Sequence, residues 1–148
     1  MKVLINSISQ PIQIGLYRDD VCIERIELEG QTSEVLLPII ESLMERYDIE
    51  RFIYANGPGS HMAIKLTYIA LRTIELLSEI PFSSCSAFEL NGAKPLKAMG
   101  KLYFIKEKET IITQKFEETV KQSFEIPESL DSIIISRENL PDYQLPAV

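Results

Sequence analysis

One short segment, Gly57-Pro58-Gly59-Ser60, has the composition of an anion-binding loop and lies between an apolar stretch and a helix-like pattern. Glycines let a backbone approach a phosphate closely, and the first turn of a helix offers unpaired N–H groups. The spacing is not that of a Walker loop. The same residues suit a tight strand-to-helix turn, because glycine adopts conformations that other residues avoid. We favour the turn and keep Gly57, Gly59 and Ser60 as candidate phosphate contacts.

His61 is the only histidine of the chain. A metal site needs several clustered Cys, His or carboxylate ligands, and the sequence around His61 provides none. A general base would need a nucleophile and an orienting acid, and only Ser60 is adjacent. The chain also has no H-E-x-x-H peptidase motif. We therefore predict no catalytic residue, no metal and no cofactor, and assign His61 to surface or interface packing.

The composition limits the protein classes that fit the chain. With 148 residues, 45% hydrophobic and 25% charged, it suits one ordinary globular domain and is too short for two full lobes. Lys and Arg number 15 against 22 acids, and the net charge of -7 opposes autonomous nucleic-acid binding. We expect no signal peptide and no membrane span. The predicted location is cytoplasmic, with Cys22 and Cys85 reduced and buried.

The elements that must position the glycine-rich turn begin with three predicted strands. Residues 2–8 are apolar, residues 12–17 alternate with period two, and Val21 to Leu28 form a third apolar stretch. The apolar positions change parity between Ile23 and Ile26, which predicts a β-bulge. Three consecutive strands indicate an antiparallel meander.

An amphipathic helix follows the meander. Its apolar face repeats at the helical period and comprises Val35, Leu36, Ile39, Ile40, Leu43, Met44 and Tyr47. Pro38 interrupts the pattern, so the helix either begins near Leu37 or is kinked. Thr32 or Ser33 would cap the longer version.

A strand over 51–55, a helix from the Ser60 N-cap to about Ser78 and a strand over 81–84 complete the order β-β-β-α-β-α-β. This order predicts an α/β fold with a mixed sheet, complete by about residue 92. Beyond it we predict a hairpin (102–105 and 110–113), a short helix over 116–124, a strand over 133–135, and a tail of eight residues that lies loose or drapes the surface.

The second helix is apolar over most of its circumference. Its polar positions, Lys65, Tyr68, Arg72, Glu75 and Glu79, form one narrow stripe. Its apolar positions are Met62, Ile64, Leu66, Ile69, Ala70, Leu71, Ile74, Leu76 and Leu77. Such a helix is covered on two sides, either by a partner or by the chain's own core. We favour the partner, with interface candidates Val35, Ile39, Leu43, Met62, Leu66, Ile69 and Thr73.

Three segments resemble the TsaB (YeaZ) family. Residues 54–60 resemble its G-P-G-S-F-T-G-L-R stretch, and Thr32–Pro38 resembles its H-S-E-x-L-L-P motif. Ile80–Phe82 with Ser86–Leu90 resembles its I-P-x-x-x-x-S-S-L-x-A-L continuation. The resemblance covers residues 1–92. It implies an actin/RNase H-like lobe of the actin/Hsp70/sugar-kinase fold, with residues 93–148 as a reduced second lobe.

The resemblance also implies a function. TsaB-type proteins lack their own catalysis and pair with TsaD, which holds metal and ATP and transfers threonylcarbamoyl to the adenosine beside the tRNA anticodon. TsaE, an ATPase, binds that pair. The two helices, here at 33–47 and 60–78, would contribute to a four-helix bundle, and a homodimer could form in the absence of the partner.

The chain departs from the family pattern at three places. Asn6 stands where the family's I-D-T-S has aspartate, Thr32 replaces its histidine, and His61–Thr67 replaces F-T-G-L-R-I-G. An amide cannot supply the charge that the fold uses for metal-phosphate chemistry. A small ATP-binding phosphotransferase or hydrolase that uses the Gly57–Ser60 turn is the alternative function.

Overall fold

The computed structural model describes residues 1–144, which form two sheets and two long helices. In chain order the elements are β1 (Lys2–Asn6), β2 (Ile12–Arg18), β3 (Val21–Leu28), α1 (Thr32–Arg46), β4 (Arg51–Ala55), α2 (His61–Ser78), β5 (Phe82–Cys85), β6 (Leu96–Met99), β7 (Leu102–Glu107) and β8 (Thr110–Lys115). Single 3₁₀ turns occur at Ala87–Glu89 and Leu130–Ser132.

The large sheet has the strand order β3-β2-β1-β4-β5. Strands β1, β2 and β3 are antiparallel, whereas β1, β4 and β5 are parallel and are joined through α1 and α2. This confirms the predicted mixed sheet, and the elements follow the predicted order β-β-β-α-β-α-β along the chain. The register shifts where Leu16 pairs with Glu24 and Tyr17 with Cys22, so Ile23 is left over as the predicted bulge.

Both helices confirm the sequence pattern, with one correction at a cap. Helix α1 takes its longer form with Pro38 inside it, and its N-cap is Gln31, without a side-chain cap. The predicted cap at Thr32 or Ser33 is wrong, because both residues already lie within the first helical turn. Helix α2 begins after Ser60, whose hydroxyl accepts a hydrogen bond from the Ala63 amide at 3.5 Å, as predicted.

The main core lies between the large sheet and the two helices. It is built from alternate residues of the central strands and from the inner faces of α1 and α2. The sheet contributes Val3, Ile5, Ile12, Ile14, Leu16, Phe52 and Tyr54, and the helices contribute Leu36, Ile40, Leu43, Ile64 and Leu71.

The opposite face of the large sheet is covered by residues 124–135, here called the back segment. Its Ile126 and Leu130 pack with Leu4, Tyr17 and Ile53 of the sheet. Residues 116–123, which precede the back segment, contain no helix, and the back segment itself is extended apart from its 3₁₀ turn. The predicted short helix over 116–124 and the predicted strand over 133–135 are therefore both wrong. Its carbonyls instead accept side-chain hydrogen bonds, such as that from the Tyr17 hydroxyl to Pro127 at 2.6 Å, and this pairing with side chains replaces regular structure.

The small sheet, β6-β7-β8, contains the predicted hairpin as β7 and β8 and adds β6, which the sequence pattern did not reveal. Leu96 and Phe104 attach it to Ala87 and Phe88 after β5. Residues 93–144 contact both sheets, because the chain leaves the small sheet and returns to the large one; the assignment of residues 93–148 to a reduced second lobe stays a prediction. The last described residues, 136–144, cross the edge at β5 and are called the strap; residues 145–148 of the predicted tail lie outside the described residues.

Candidate interaction groove and cleft

A groove of about 530 Å³ runs between α1 and α2 on the outer surface of the helix layer. Its apolar lining consists of Leu36, Leu37, Met44, Leu66, Ile69, Ala70, Ile74 and Leu77. Several of these side chains meet solvent: Leu37 is 47% exposed, Ile69 48% and Leu77 80%. The groove arises because the two parallel crossovers place α1 and α2 side by side on one sheet face.

The structure separates the predicted interface residues of α2 from those of α1. On α2, Leu66, Ile69 and Thr73 line the groove, and Met62 is 65% exposed beside it. These positions recur every three or four residues and therefore share one flank of the helix.

The α1 candidates lie on the sheet side of that helix. Leu43 is fully buried in the core, and Val35 and Ile39 are half-buried against it. Leu43 is therefore a core residue and not part of the exposed surface. The strongest apolar stripe of α1 covers the sheet, while Leu37 and Met44, seven residues apart, face the groove. Leu37 was missed because it lies outside that stripe; its position beside Pro38 gave no separate signal.

The groove has little capacity for chemistry. Glu41 is the only ionisable group in its lining among the residues that the structure describes, and the remaining polar groups are hydroxyls. It can bury apolar side chains of another surface. At its margin the Ser78 hydroxyl can accept or donate a hydrogen bond, and the Thr73 hydroxyl, which donates to the Ile69 carbonyl at 2.8 Å, can accept one.

The Gly57–Ser60 turn is packed closely against two other segments. Gly57 has a φ of 128°, and a Cβ there would overlap the carbonyl oxygen of Asp142 in the strap. A Cβ on Gly59 would lie 2.7 Å from Cγ2 of Ile8. Close packing thus explains why both positions are glycine, which supports the turn interpretation. Their contacts with a phosphate remain a prediction.

Gly59 and Ser60 also line a cleft of about 620 Å³ between the two sheets. The cleft is bordered by Ile8, Gln10 and Phe124, and Lys97 is the only charged residue among its described lining residues. A magnesium ion prefers carboxylate and other oxygen ligands, and this lining contains no carboxylate. Within residues 1–144, no three His, Cys, Asp or Glu side chains gather in an arrangement that could hold a metal.

Asn6 ends β1 at the position where the family pattern has aspartate. It is fully buried, and its Oδ1 accepts the Ile8 amide at 3.1 Å while its Nδ2 donates to Gln13 Oε1 at 3.4 Å. These bonds close the chain reversal after β1. Their partners Ile8 and Gln13 line the cleft, but Asn6 itself does not. The Asn6 side chain therefore has a structural role, in which its amide oxygen accepts one hydrogen bond and its amide nitrogen donates another.

His61 and the cysteines also have local packing partners. The His61 ring lies 4.6 Å from the Tyr143 ring, centroid to centroid, in agreement with its assignment to packing. Cys22 and Cys85 are both free thiols, as predicted, but only Cys85 is buried. Burial raises the pKa of Cys85 to about 12, with a smaller contribution from Glu89.

Neither α1 nor α2 has the length and apolar character of a bilayer-crossing segment, and residues 1–144 contain no other candidate.

The chain is similar to known proteins in its fold. No protein-family model and no curated protein matches the chain. Among solved structures, YeaZ from Pseudomonas aeruginosa superposes with a TM-score of 0.63 at 10% identity, covering 81% of this chain and 69% of that one. An uncharacterized protein with similarity to peptidase YeaZ from Pseudomonas aeruginosa gives a TM-score of 0.58 at 10% identity, covering 81% and 68%. The predicted α/β fold of the actin/RNase H type is thus confirmed, and it is the fold of YeaZ.

Proposed function

We propose that the chain is a TsaB-type, non-catalytic subunit that pairs with a TsaD-type subunit in threonylcarbamoyladenosine modification of tRNA. The observation that carries the proposal is the exposed apolar groove between α1 and α2 on a YeaZ-like fold. The sequence resemblance over residues 1–92 supports the same family.

The physical case for a partner rests on exposed apolar area. Leu37, Met62, Ile69, Leu76 and Leu77 are each 47% exposed or more. Contiguous apolar patches with polar margins mark interaction sites on soluble proteins. A pair of helices from a partner could insert side chains into the groove by ridge-and-groove packing, which yields the four-helix arrangement that the family resemblance implies.

In this assignment the partner performs the chemistry. The TsaD-type subunit holds metal and ATP, and this chain supplies a binding surface and stabilises the partner's helices. A TsaE-type ATPase would bind the pair. Two copies of this chain could use the same groove when the partner is absent, because a helix pair can pack on its own copy about a two-fold axis.

One observation favours the alternative, a small ATP-binding phosphotransferase or hydrolase: Gly59 and Ser60 line the cleft between the sheets. Lys97 could contact a phosphate there. The cleft lining, however, provides no carboxylate among the described residues, and Asn6 is neutral. Divalent-metal phosphoryl transfer requires such oxygen ligands, so we place this function second.

The test of the proposal is co-expression of the chain with the TsaD-type subunit of the same organism, followed by size exclusion with light scattering. Ile69→Glu places a charge in the groove, and we expect it to weaken the heterodimer at least tenfold because a buried unpaired carboxylate is costly. Ile23→Glu is a matched control, since Ile23 on β3 is 46% exposed, close to the 48% of Ile69.

Circular dichroism checks that both variants fold. Unchanged pairing in Ile69→Glu and in Leu66→Glu would contradict the groove assignment. Calorimetry of the isolated chain with magnesium-ATP tests the second function: binding that disappears when Gly59 and Ser60 are replaced would favour the phosphotransferase.

A further inference from the structure

The strap, residues 136–144, contacts the flank of α2 that faces away from the groove. We propose that it fixes α2 in the orientation that forms the groove, and thereby regulates partner binding from the opposite side of that helix. Its consequence for partner binding rests on the proposed function. The effect on α2 itself does not.

Helix α2 needs support on this flank because of where it lies. Strand β5, which follows α2, is an edge strand of four residues, and its outer side is met by the strap through an isolated bridge between Ser84 and Ser136. The groove-side residues of α2 face α1, whereas His61, Tyr68 and Arg72 recur every four to seven residues on the other flank. Without the strap that flank would meet solvent.

Asn139 is the central contact of the strap. Its Oδ1 accepts a hydrogen bond from Nη2 of Arg72 at 2.8 Å, and its Nδ2 donates to the carbonyl of Phe82 at 3.0 Å. Its own carbonyl accepts the hydroxyl of Tyr54 at 2.6 Å. One residue therefore joins α2, β5 and β4.

Arg72 is itself held in place around that bond. Its guanidinium lies 4.8 Å from the centroid of the Phe82 ring and 5.2 Å from that of Tyr68. It also donates to Glu75. The charged side chain is thus oriented by cation–π and ion-pair contacts before it reaches Asn139, so that the strap meets a fixed donor.

The other end of the strap meets the first turn of α2. Asn56 donates to the carbonyl of Leu140 at 2.9 Å, and the Asp142 amide donates to the carbonyl of Asn56 at 2.8 Å. The Tyr143 ring packs on His61. Contacts at His61 and at Arg72 are about 16 Å apart along the helix axis, and two such separated points restrict tilt as well as translation.

The strap is attached to the large sheet by scattered contacts and not by a strand ladder. Its carbonyls accept hydrogen bonds from the side chains of Tyr54, Asn56 and Ser84, and it adds one isolated bridge to β5. A docked and an undocked strap would therefore differ by these local contacts and not by a strand of the sheet, and anything that favours undocking would shift α2 toward other orientations. The groove would then lose the shape that a partner requires.

The experiment uses the full chain and three substitutions. Asn139→Ala removes the central contact, and Tyr143→Ala removes the second, independent contact at His61. Glu138→Ala is the matched control, because its exposed side chain makes no hydrogen bond among the described residues while its carbonyl still accepts the Ser84 hydroxyl. Hydrogen exchange is followed in α2 and in β1, and affinity for the TsaD-type subunit is measured in parallel.

We expect Asn139→Ala to speed amide exchange around Arg72 at least tenfold, with β1 unchanged, and to weaken partner binding at least threefold although Asn139 lies outside the groove. Tyr143→Ala should act in the same direction on the first turn of α2.

If exchange in α2 matches the Glu138→Ala control in both variants, the strap does not hold the helix. If exchange rises and partner affinity stays constant, the strap does not regulate the groove. If the wild-type chain does not pair with the TsaD-type subunit, the proposed function is refuted. The exchange data would still decide whether the strap holds α2.

Discussion

Cys85 carries a thiol whose protonation is linked to folding. It lies at the end of β5, is 2% exposed, and has its pKa raised from 9.0 to about 12, mainly by burial. In the unfolded chain the thiol returns to its ordinary pKa. The stability linked to this group is therefore complete well below pH 9, begins to fall at about pH 8 and is lost as the pH rises toward 12. Burial also raises the pKa of Tyr17 and Tyr54, which adds alkaline sensitivity in the same direction.

We predict that the free energy of unfolding falls between about pH 8 and pH 10, with roughly 1 kcal/mol of the loss due to Cys85. Cys85→Ala should remove that part of the pH dependence, whatever its own effect on stability at neutral pH. Urea unfolding followed by circular dichroism at several pH values measures it. Equal slopes in wild type and Cys85→Ala would refute the assignment.

Gly57 and Leu43 show how far single residues could be interpreted from the sequence. The glycine-rich turn and the Ser60 cap depend on neighbouring residues, so the local pattern predicted them. The close approach of Asp142 to Gly57 joins segments 85 positions apart in the chain, and no local pattern contains it. Leu43 has the helical spacing of an interface residue, but that spacing cannot say whether the stripe meets a sheet or a partner.

At the scale of elements, α1 retains a proline that its helix must accommodate. Pro38 lies seven residues into the helix and is exposed. It cannot donate the hydrogen bond to the carbonyl of Glu34, and its ring crowds the preceding turn. Leu37, directly before Pro38, and Glu41, three residues after it, line the groove. The proline therefore lies close to the proposed interface.

Pro38→Ala should raise the free energy of unfolding by about 1–3 kcal/mol, because alanine restores the missing donor and has the higher helix propensity. Denaturant unfolding measures the change, with Glu41→Ala as a control expected to stay within about 0.5 kcal/mol. A Pro38→Ala variant that is no more stable than wild type would show that the rest of α1 has adapted to the proline.

The elements that could be predicted are those whose apolar residues repeat with a clear strand or helix period. The meander, α1, α2 and the hairpin of β7 and β8 each carry a period of two or 3.6 over enough residues to be recognised. Strand β6 has only four residues. Phe116, Val120 and Phe124 have helical spacing, but Pro127 and the side-chain donors of the sheet, Gln13 and Arg25, stabilise an extended path after Gln122.

The whole molecule is held together by the return of the chain to its first sheet. The back segment covers Leu4, Tyr17 and Ile53 with Ile126 and Leu130, and the strap then closes the edge at β5. The sequence predicted a boundary near residue 92 because the strong patterns end there. Coverage of the far sheet face depends on contacts between distant segments, as in Arg25, whose guanidinium donates to the Ile126 carbonyl at 3.3 Å.

This arrangement makes a prediction for truncated chains. A fragment of residues 1–92 keeps the large sheet and both helices but leaves the buried face around Leu4, Tyr17 and Cys85 open to water. Fully burying a large apolar side chain contributes about 1.5–3 kcal/mol, and a small domain has a total stability of only about 5–15 kcal/mol. Uncovering several such side chains at once should therefore abolish cooperative folding.

We expect the 1–92 fragment to show no cooperative thermal transition by near-ultraviolet circular dichroism and to bind a hydrophobic dye strongly, whereas residues 1–144 melt cooperatively. Co-expression of 1–92 with a separate 116–144 peptide is the informative control, because the peptide supplies the back segment and the strap without the small sheet. It should restore a cooperative transition if coverage of the sheet is what the fragment lacks. A 1–92 fragment that melts cooperatively without the peptide would show that the helix-side core is sufficient, and that the returning chain serves the strap's contact with α2 rather than the stability of the fold.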